Sequence, residues 1–236
     1  MKIVAGAGSL GARILEIDLA QPLADADYRG IEAALGRHGV VSFPQQTLDA
    51  HHLKAFAERF GTLELNVANM YFEPGLPEVM ILSNMVENGK PVGLSDAGQD
   101  WHTDMSYSRT IAFSNVLYGI RIPMRDGKSL GNTEFCNMHA AYDDLPEALK
   151  TELDGMTITH DFNKFWEMMR REKGSSRPPL TDEQRRRKPP VSHPVFLTHP
   201  ITGRKVLYAN PGYSVKINEL PPARSDEVLD LSLIHI

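Results

Sequence analysis

His102-Thr103-Asp104, within Gln99-Asp100-Trp101-His102-Thr103-Asp104-Met105-Ser106-Tyr107, places an imidazole and a carboxylate two residues apart. In an extended strand, side chains at i and i+2 leave from the same face. A nitrogen and an oxygen donor on one face suit a first-row metal. One further histidine would complete a two-His, one-carboxylate triad with open positions for substrate and O2, the arrangement of non-haem ferrous sites. A His-x-Asp in a strand also serves as a polar edge pair, so the tripeptide alone leaves both readings standing. His193 and His199 are each followed by proline and lie an even number of residues apart, so one strand face could carry both. Joined to His102 and Asp104 around zinc, they would make a hydrolase site, which also needs a general base.

The elements that must position these groups belong to a chain of 236 residues with 42% hydrophobic and 23% charged composition, enough for one substantial core. One domain spanning residues 1–236 is expected. The net charge of −5 provides no basic field for nucleic acid or an anionic membrane, which leaves small molecules as partners. The single cysteine excludes an internal disulfide framework and fits a reducing compartment, with the cytoplasm as the default. No run has the length of a membrane span, and residues 1–7 reach glycine before any signal-like stretch develops.

Residues 14–17 read as a strand, and residues 26–38 as a helix that carries Ile31, Ala34 and Leu35 on one face and stops at Gly39. A strand at 40–43 ends at Pro44. Thr47 then offers a cap for a helix whose Leu53, Phe56, Ala57 and Phe60 fall at i, i+3, i+4 and i+7 before Gly61. Beyond residue 79 short strands are expected at 79–83, 101–107, 113–122, 195–198, 205–209 and 215–217, interrupted by helices at 145–153 and 162–173. Residues 174–190 read as a flexible surface loop. Its basic run Arg185-Arg186-Arg187-Lys188 follows Asp182 and Glu183 with no interleaved aromatics, as in a solvated face rather than a nucleic-acid site. The fold class expected is mostly β with helical inserts (α+β), a barrel or jelly roll.

Ordered along the chain are Gly39-Val40-Val41-Ser42-Phe43, Phe56-Ala57-Glu58-Arg59-Phe60-Gly61-Thr62-Leu63-Glu64, Trp101-His102-Thr103-Asp104, Asn132-Thr133, Ala140-Ala141-Tyr142-Asp143-Asp144-Leu145-Pro146 and His160-Asp161-Phe162. His193-Pro194-Val195, Thr198-His199-Pro200-Ile201-Thr202-Gly203-Arg204-Lys205 and Leu207-Tyr208-Ala209-Asn210 follow. Together these stretches resemble the taurine dioxygenase family of Fe(II)/2-oxoglutarate-dependent dioxygenases, which includes aryloxyalkanoate dioxygenases. The resemblance implies a double-stranded β-helix (jelly roll), here incomplete at its C-terminal end. It implies that His102 and Asp104 ligate Fe(II), that Thr133 binds a carboxylate of 2-oxoglutarate, and that Phe162 lines the substrate pocket. His160, His193 and His199 fall on structural or supporting positions. The implied reaction decarboxylates 2-oxoglutarate to succinate and CO2 with O2 and hydroxylates a small organic acid.

The chain also departs from the family pattern. Where taurine dioxygenases carry a histidine and a tyrosine against the sulfonate, this chain has Asn66 and Asn69. Uncharged amides can hydrogen-bond an oxyanion without neutralising it. That points away from taurine and leaves a sulfonate, an aryloxyalkanoate or another carboxylate as the substrate. The family's distal histidine and its 2-oxoglutarate-binding arginine are expected beyond Leu229-Asp230. The residues Leu231-Ser232-Leu233-Ile234-His235-Ile236 continue the pattern poorly, and His235 falls where the family has a helix end rather than a ligand. The 236-residue polypeptide by itself is therefore expected to be inactive or nearly so. Two other classes stay open: a non-catalytic small-molecule-binding jelly-roll remnant, and the metal-dependent hydrolase. Homo-oligomerisation is compatible with each. Of the remaining residues, His38, His51, His52 and His139 read as surface, Trp101 as core, and Cys136 as inert packing.

Overall fold

The computed structural model describes residues 1–65, 71–175 and 177–233; Asn66, Asn69 and His235 lie outside the described residues. The chain divides into two compact units, Met1–Ala97 with Phe113–Phe135, and Gly98–Ala112 with Cys136–Ile236.

In the first unit, β1 (Lys2–Ala5) pairs antiparallel with β2 (Ala12–Leu15), and β3 (Val41–Ser42) joins β2 in parallel. Helix α1 (Asp25–His38) is the crossover and seats Ile31 and Ala34 in a core with Ile14, Leu19 and Phe56. It ends because Gly39 adopts φ +69°, a conformation open to glycine, and returns its N–H to the Leu35 carbonyl. Helix α2 (Ala50–Ala57) starts two residues later than the Thr47 cap predicts. Asp49 is the cap: its carboxylate accepts from the His52 N–H at 2.8 Å, and the His52 ring faces the Asp49 N–H in return. Three hairpins complete the unit: β4 (Phe72–Glu73) with β5 (Leu76–Met80), β6 (Val86–Glu87) with β7 (Lys90–Pro91), and β8 (Met124–Arg125) with β9 (Lys128–Ser129). The strand expected at 113–122 enters no ladder, and its Ile120 is 87% exposed. β composition describes a residue's fit to a pleated surface; pairing needs a neighbouring strand, which this stretch lacks among the described residues of its unit.

In the second unit, β10 (Thr157–His160) is the centre of an antiparallel sheet ordered β11-β10-β14, where β11 is Val191–Pro194 and β14 is Ser214–Ile217. β12 (Phe196–Thr198) and β13 (Lys205–Leu207) form a separate hairpin. Helices α3 (Met138–Asp143), α4 (Glu147–Leu153) and α7 (Pro222–Leu233) close over a core that includes Leu153, Ile158, Val195, Leu207, Ile217 and Val228. Helix α5 (Phe162–Glu172) is capped by Asp161, whose side chain accepts from Asn163 N. A short helix α6 (Asp182–Arg187) forms inside the stretch expected to be a loop. Thr181 and Gln184 make a reciprocal capping box, acids occupy the first turn and arginines the last, and Arg185 pairs with Asp182.

The architecture is mixed α and β with small sheets rather than mostly β, and no closed barrel forms among the described residues. No described helix is long and apolar enough to cross a membrane.

Candidate functional site

His102 and Asp104 are brought together by a loop, not by the strand expected at 101–107. The backbone has positive φ at Asp100 (69°) and Met105 (59°), and turns close from Ser106 N to Thr103 O at 3.3 Å and from Ser108 N to Met105 O at 2.9 Å. This curl, rather than a pleat, turns the two side chains toward each other. His102 Nε2 stands 3.3 Å from Asp104 Oδ1, and His102 Nδ1 lies 2.9 Å from the Asp100 carbonyl oxygen. A carbonyl only accepts, so Nδ1 carries a proton and Nε2 is the atom that presents itself beside the carboxylate. Asp104 raises the His102 pKa above the ordinary imidazole value, burial opposing it.

The loop is fastened by long-range contacts within its unit. On the entering side, Asp100 pairs with Lys173 at 3.1 Å, which holds its carboxyl below the usual carboxylate range. On the leaving side, Ser106 is fully buried and its hydroxyl accepts from Asn210 Nδ2 at 3.3 Å. Asn210 Oδ1 accepts from Tyr213 N at 2.9 Å. The Tyr107 ring packs 4.8 Å from both Phe162 and Tyr213, and His193 Nε2 meets the Ser108 carbonyl at 2.9 Å. Beneath His102, the rings of Phe165 (5.9 Å) and Tyr213 (6.3 Å) form a floor. Gly212 is required there: a Cβ on it would come within 3.1 Å of His102 Cβ and 3.4 Å of the Phe165 ring.

Asn210 thus links the loop to the Tyr213 turn. Replacing it with alanine leaves a buried serine hydroxyl and a buried backbone N–H without partners, and we expect Asn210→Ala to cost about 2 kcal/mol in denaturant unfolding. An unchanged midpoint would show that the loop is held by other means.

The donor set suits a ferrous ion as far as it goes. Two protein atoms bound to one metal at about 2.1 Å and a right angle stand about 3 Å apart, close to the observed separation. The Nδ1–H to carbonyl contact is the support that metal-bound histidines ordinarily use to fix tautomer and ring orientation. No group of three or more His, Cys, Asp and Glu side chains suited to a metal gathers among the described residues. The zinc-hydrolase set is therefore not assembled: His193 is engaged by Ser108, and the His199 ring faces the N–H groups of Ile201 and Thr202.

Thr133 belongs to the first unit, where it is exposed beyond the β8–β9 hairpin. Phe162 is 8% exposed at the start of α5, between Tyr107 and Trp166. Trp101, expected in the core, is 37% exposed. His139, expected at the surface, is half-buried, with Nδ1 2.9 Å from the Lys205 carbonyl and its ring against His199. Burial pushes the Cys136 thiol pKa up, away from reactivity. The sequence reading did not single out Ser106, Phe165, Lys173 or Tyr213. The one local signal among them is Asn210-Pro211-Gly212-Tyr213, whose turn residues mark a tight bend.

Residues 3–231 match the family model described as "Taurine catabolism dioxygenase TauD, TfdA family". The chain is 35% identical over 197 residues to an alpha-ketoglutarate-dependent 2,4-dichlorophenoxyacetate dioxygenase of Burkholderia sp. (strain RASC), an alignment covering 79% of this chain and 63% of that protein. It is 32% identical over 235 residues to the protein of the same name from Cupriavidus pinatubonensis, covering 95% and 78%. A crystal structure of a taurine dioxygenase from Burkholderia xenovorans superposes with a TM-score of 0.71 at 25% identity, covering 99% of this chain and 71% of that one.

Proposed function

We propose, from the premise that this chain belongs to the taurine catabolism dioxygenase TauD, TfdA family, that it supplies the ferrous and 2-oxoglutarate site of a dioxygenase hydroxylating a small organic acid. Its curated relatives are 2-oxoglutarate-dependent dioxygenases by name. The family's cofactor is Fe(II), with 2-oxoglutarate as co-substrate. The observation that carries the reading is His102 Nε2 facing Asp104 Oδ1 at 3.3 Å with Nδ1–H committed to Asp100. Bound there, the metal and co-substrate would supply the oxidant that O2 generates as 2-oxoglutarate becomes succinate and CO2. The residues of the chain fix the two donors, and the rings of Phe165, Tyr213 and Tyr107 keep water from one side of the loop.

By the resemblance of its motif, Thr133 is assigned to a 2-oxoglutarate carboxylate and Phe162 to the wall of the substrate pocket. The same resemblance assigns residues 1–236 to a single domain of the double-stranded β-helix class. An aryloxyalkanoate or sulfonate is the substrate class favoured, the former being what the 2,4-dichlorophenoxyacetate dioxygenases are named for.

Calorimetric titration of the chain with Mn(II), with and without N-oxalylglycine as an inert 2-oxoglutarate mimic, tests this. We expect the mimic to tighten Mn(II) binding about tenfold, because bidentate chelation adds two ligands to the metal. Metal affinity indifferent to the mimic would overturn the reading.

A further inference from the structure

Asp100 is held at φ +69°, a left-handed conformation that a non-glycine residue keeps only against strain. Both of its carboxylate oxygens act to keep it there. Oδ1 accepts from the Trp101 N–H at 3.0 Å, and Oδ2 pairs with Lys173 Nζ at 3.1 Å. In this conformation the Asp100 carbonyl oxygen lies 2.9 Å from His102 Nδ1. Lys173 is the C-cap residue of α5, a place where a cation also suits the helix dipole. The helix is anchored in its unit by Phe165, Trp166 and Met169, all buried, and the Phe165 ring packs 5.9 Å from that of His102. One helix therefore meets the metal loop twice. Phe165 supports the imidazole, and Lys173, about 12 Å further along the helix, grips the residue whose carbonyl orients it.

A neutral imidazole carries its one proton on either nitrogen, and only the Nδ1–H form leaves the Nε2 lone pair for a metal. We infer that Lys173 is a positioning residue for the ferrous site: it keeps Asp100 left-handed, and through the Asp100 carbonyl it holds His102 in the Nδ1–H form. The inference rests on the dioxygenase reading above and extends it to a residue far along the chain. With the pair removed, Asp100 relaxes toward an extended backbone and its carbonyl leaves Nδ1. The imidazole proton then divides between the two nitrogens.

The test uses the full 236-residue chain and two readouts. One is Mn(II) affinity by calorimetry. The other is nitrogen NMR of isotope-labelled histidine rings in the metal-free protein at alkaline pH, with His102 assigned by the signals that His102→Gln removes. The unsubstituted protein is expected to show His102 in the Nδ1–H form. Lys173→Met, which removes the charge and keeps the length, is expected to mix the two ring forms and weaken Mn(II) binding about tenfold, the cost of losing a partner that orients a metal ligand. Lys173→Arg is expected to restore both. Asp100→Asn breaks the pair from its other side and is expected to produce the same two changes, and Lys173→Met added to it to produce nothing further. The inference is overturned by an unsubstituted protein without the Nδ1–H form, or by a methionine variant that keeps it, whatever its metal affinity. It is equally overturned by an arginine variant as impaired as the methionine one, or by a further loss in the asparagine background. An unsubstituted protein that binds no Mn(II), yet whose His102 form depends on Lys173, sinks the dioxygenase reading alone.

Discussion

Asp104→Asn is expected to weaken Mn(II) binding by about a hundredfold or more, while the chain still folds. Loss of a residue that merely supports a metal ligand costs about 10- to 100-fold in affinity, so loss of a ligand sets that range as the lower bound. The amide keeps the size of the carboxylate and removes its charge, and the side chain is half exposed at 50%, so the substitution opens no cavity in the core. The contrast between an unchanged unfolding midpoint and a large loss of metal affinity separates a metal-binding carboxylate from a polar pair that happens to sit beside His102. A variant that binds Mn(II) as the parent does would remove Asp104 from the site.

The second large effect lies in the sheet of the same unit, in a histidine that the proposed chemistry does not use. His160 is fully buried on β10, neither ring nitrogen has a hydrogen-bond partner, and the rings of His193 and Tyr208 pack 5.7 and 5.4 Å away. Burial lowers its pKa from 6.5 to about 4, with the neighbouring His193 adding to the shift. In the unfolded chain the same imidazole titrates near its ordinary value. Between those two values the unfolded state binds a proton that the folded state refuses, so stability falls as pH drops through this window and is retained above it. The full shift amounts to about 3 kcal/mol. Denaturant unfolding at pH 7 and at pH 4.5 should show this slope in the parent. In His160→Phe, which removes the titrating ring and keeps a ring of similar size, the slope should be smaller by most of that amount. An equal slope in both proteins would show that His160 is hydrated or partnered in solution.

The reasons these two residues matter were legible to different degrees. His102 and Asp104 stood out because their chemistry is local: two donors spaced by one residue can meet whatever the surrounding fold. The geometry that joins them is not local, because the same spacing serves a pleated strand and a loop with positive φ at Asp100 and Met105 alike. His160 reads from the sequence as a structural or supporting residue, and the fold buries it on β10, a strand the sequence does not announce. With threonines outward, and isoleucine and histidine inward, Thr157-Ile158-Thr159-His160 shows no apolar alternation to read. Helix α6 was hidden in the opposite way: its charges looked like a solvated loop, and only the Thr181–Gln184 box and the ion pairs along it reveal a helix.

By itself the sequence determined what depends on neighbours a few residues away. Helix α1 and its glycine stop, the apolar face of α5, the metal-capable His-x-Asp and the ordered motifs of the family all follow from periodicity, capping and side-chain chemistry at short range. Tertiary structure decided what depends on partners far along the chain: Asn210 holding Ser106, His193 holding the Ser108 carbonyl, Gly212 making room beneath His102, and Arg177 laid over Trp166 and Phe165. Local spacing fixes which side of an element is apolar. The pairing of distant elements is selected by the packing of the whole unit, which no short window of sequence contains.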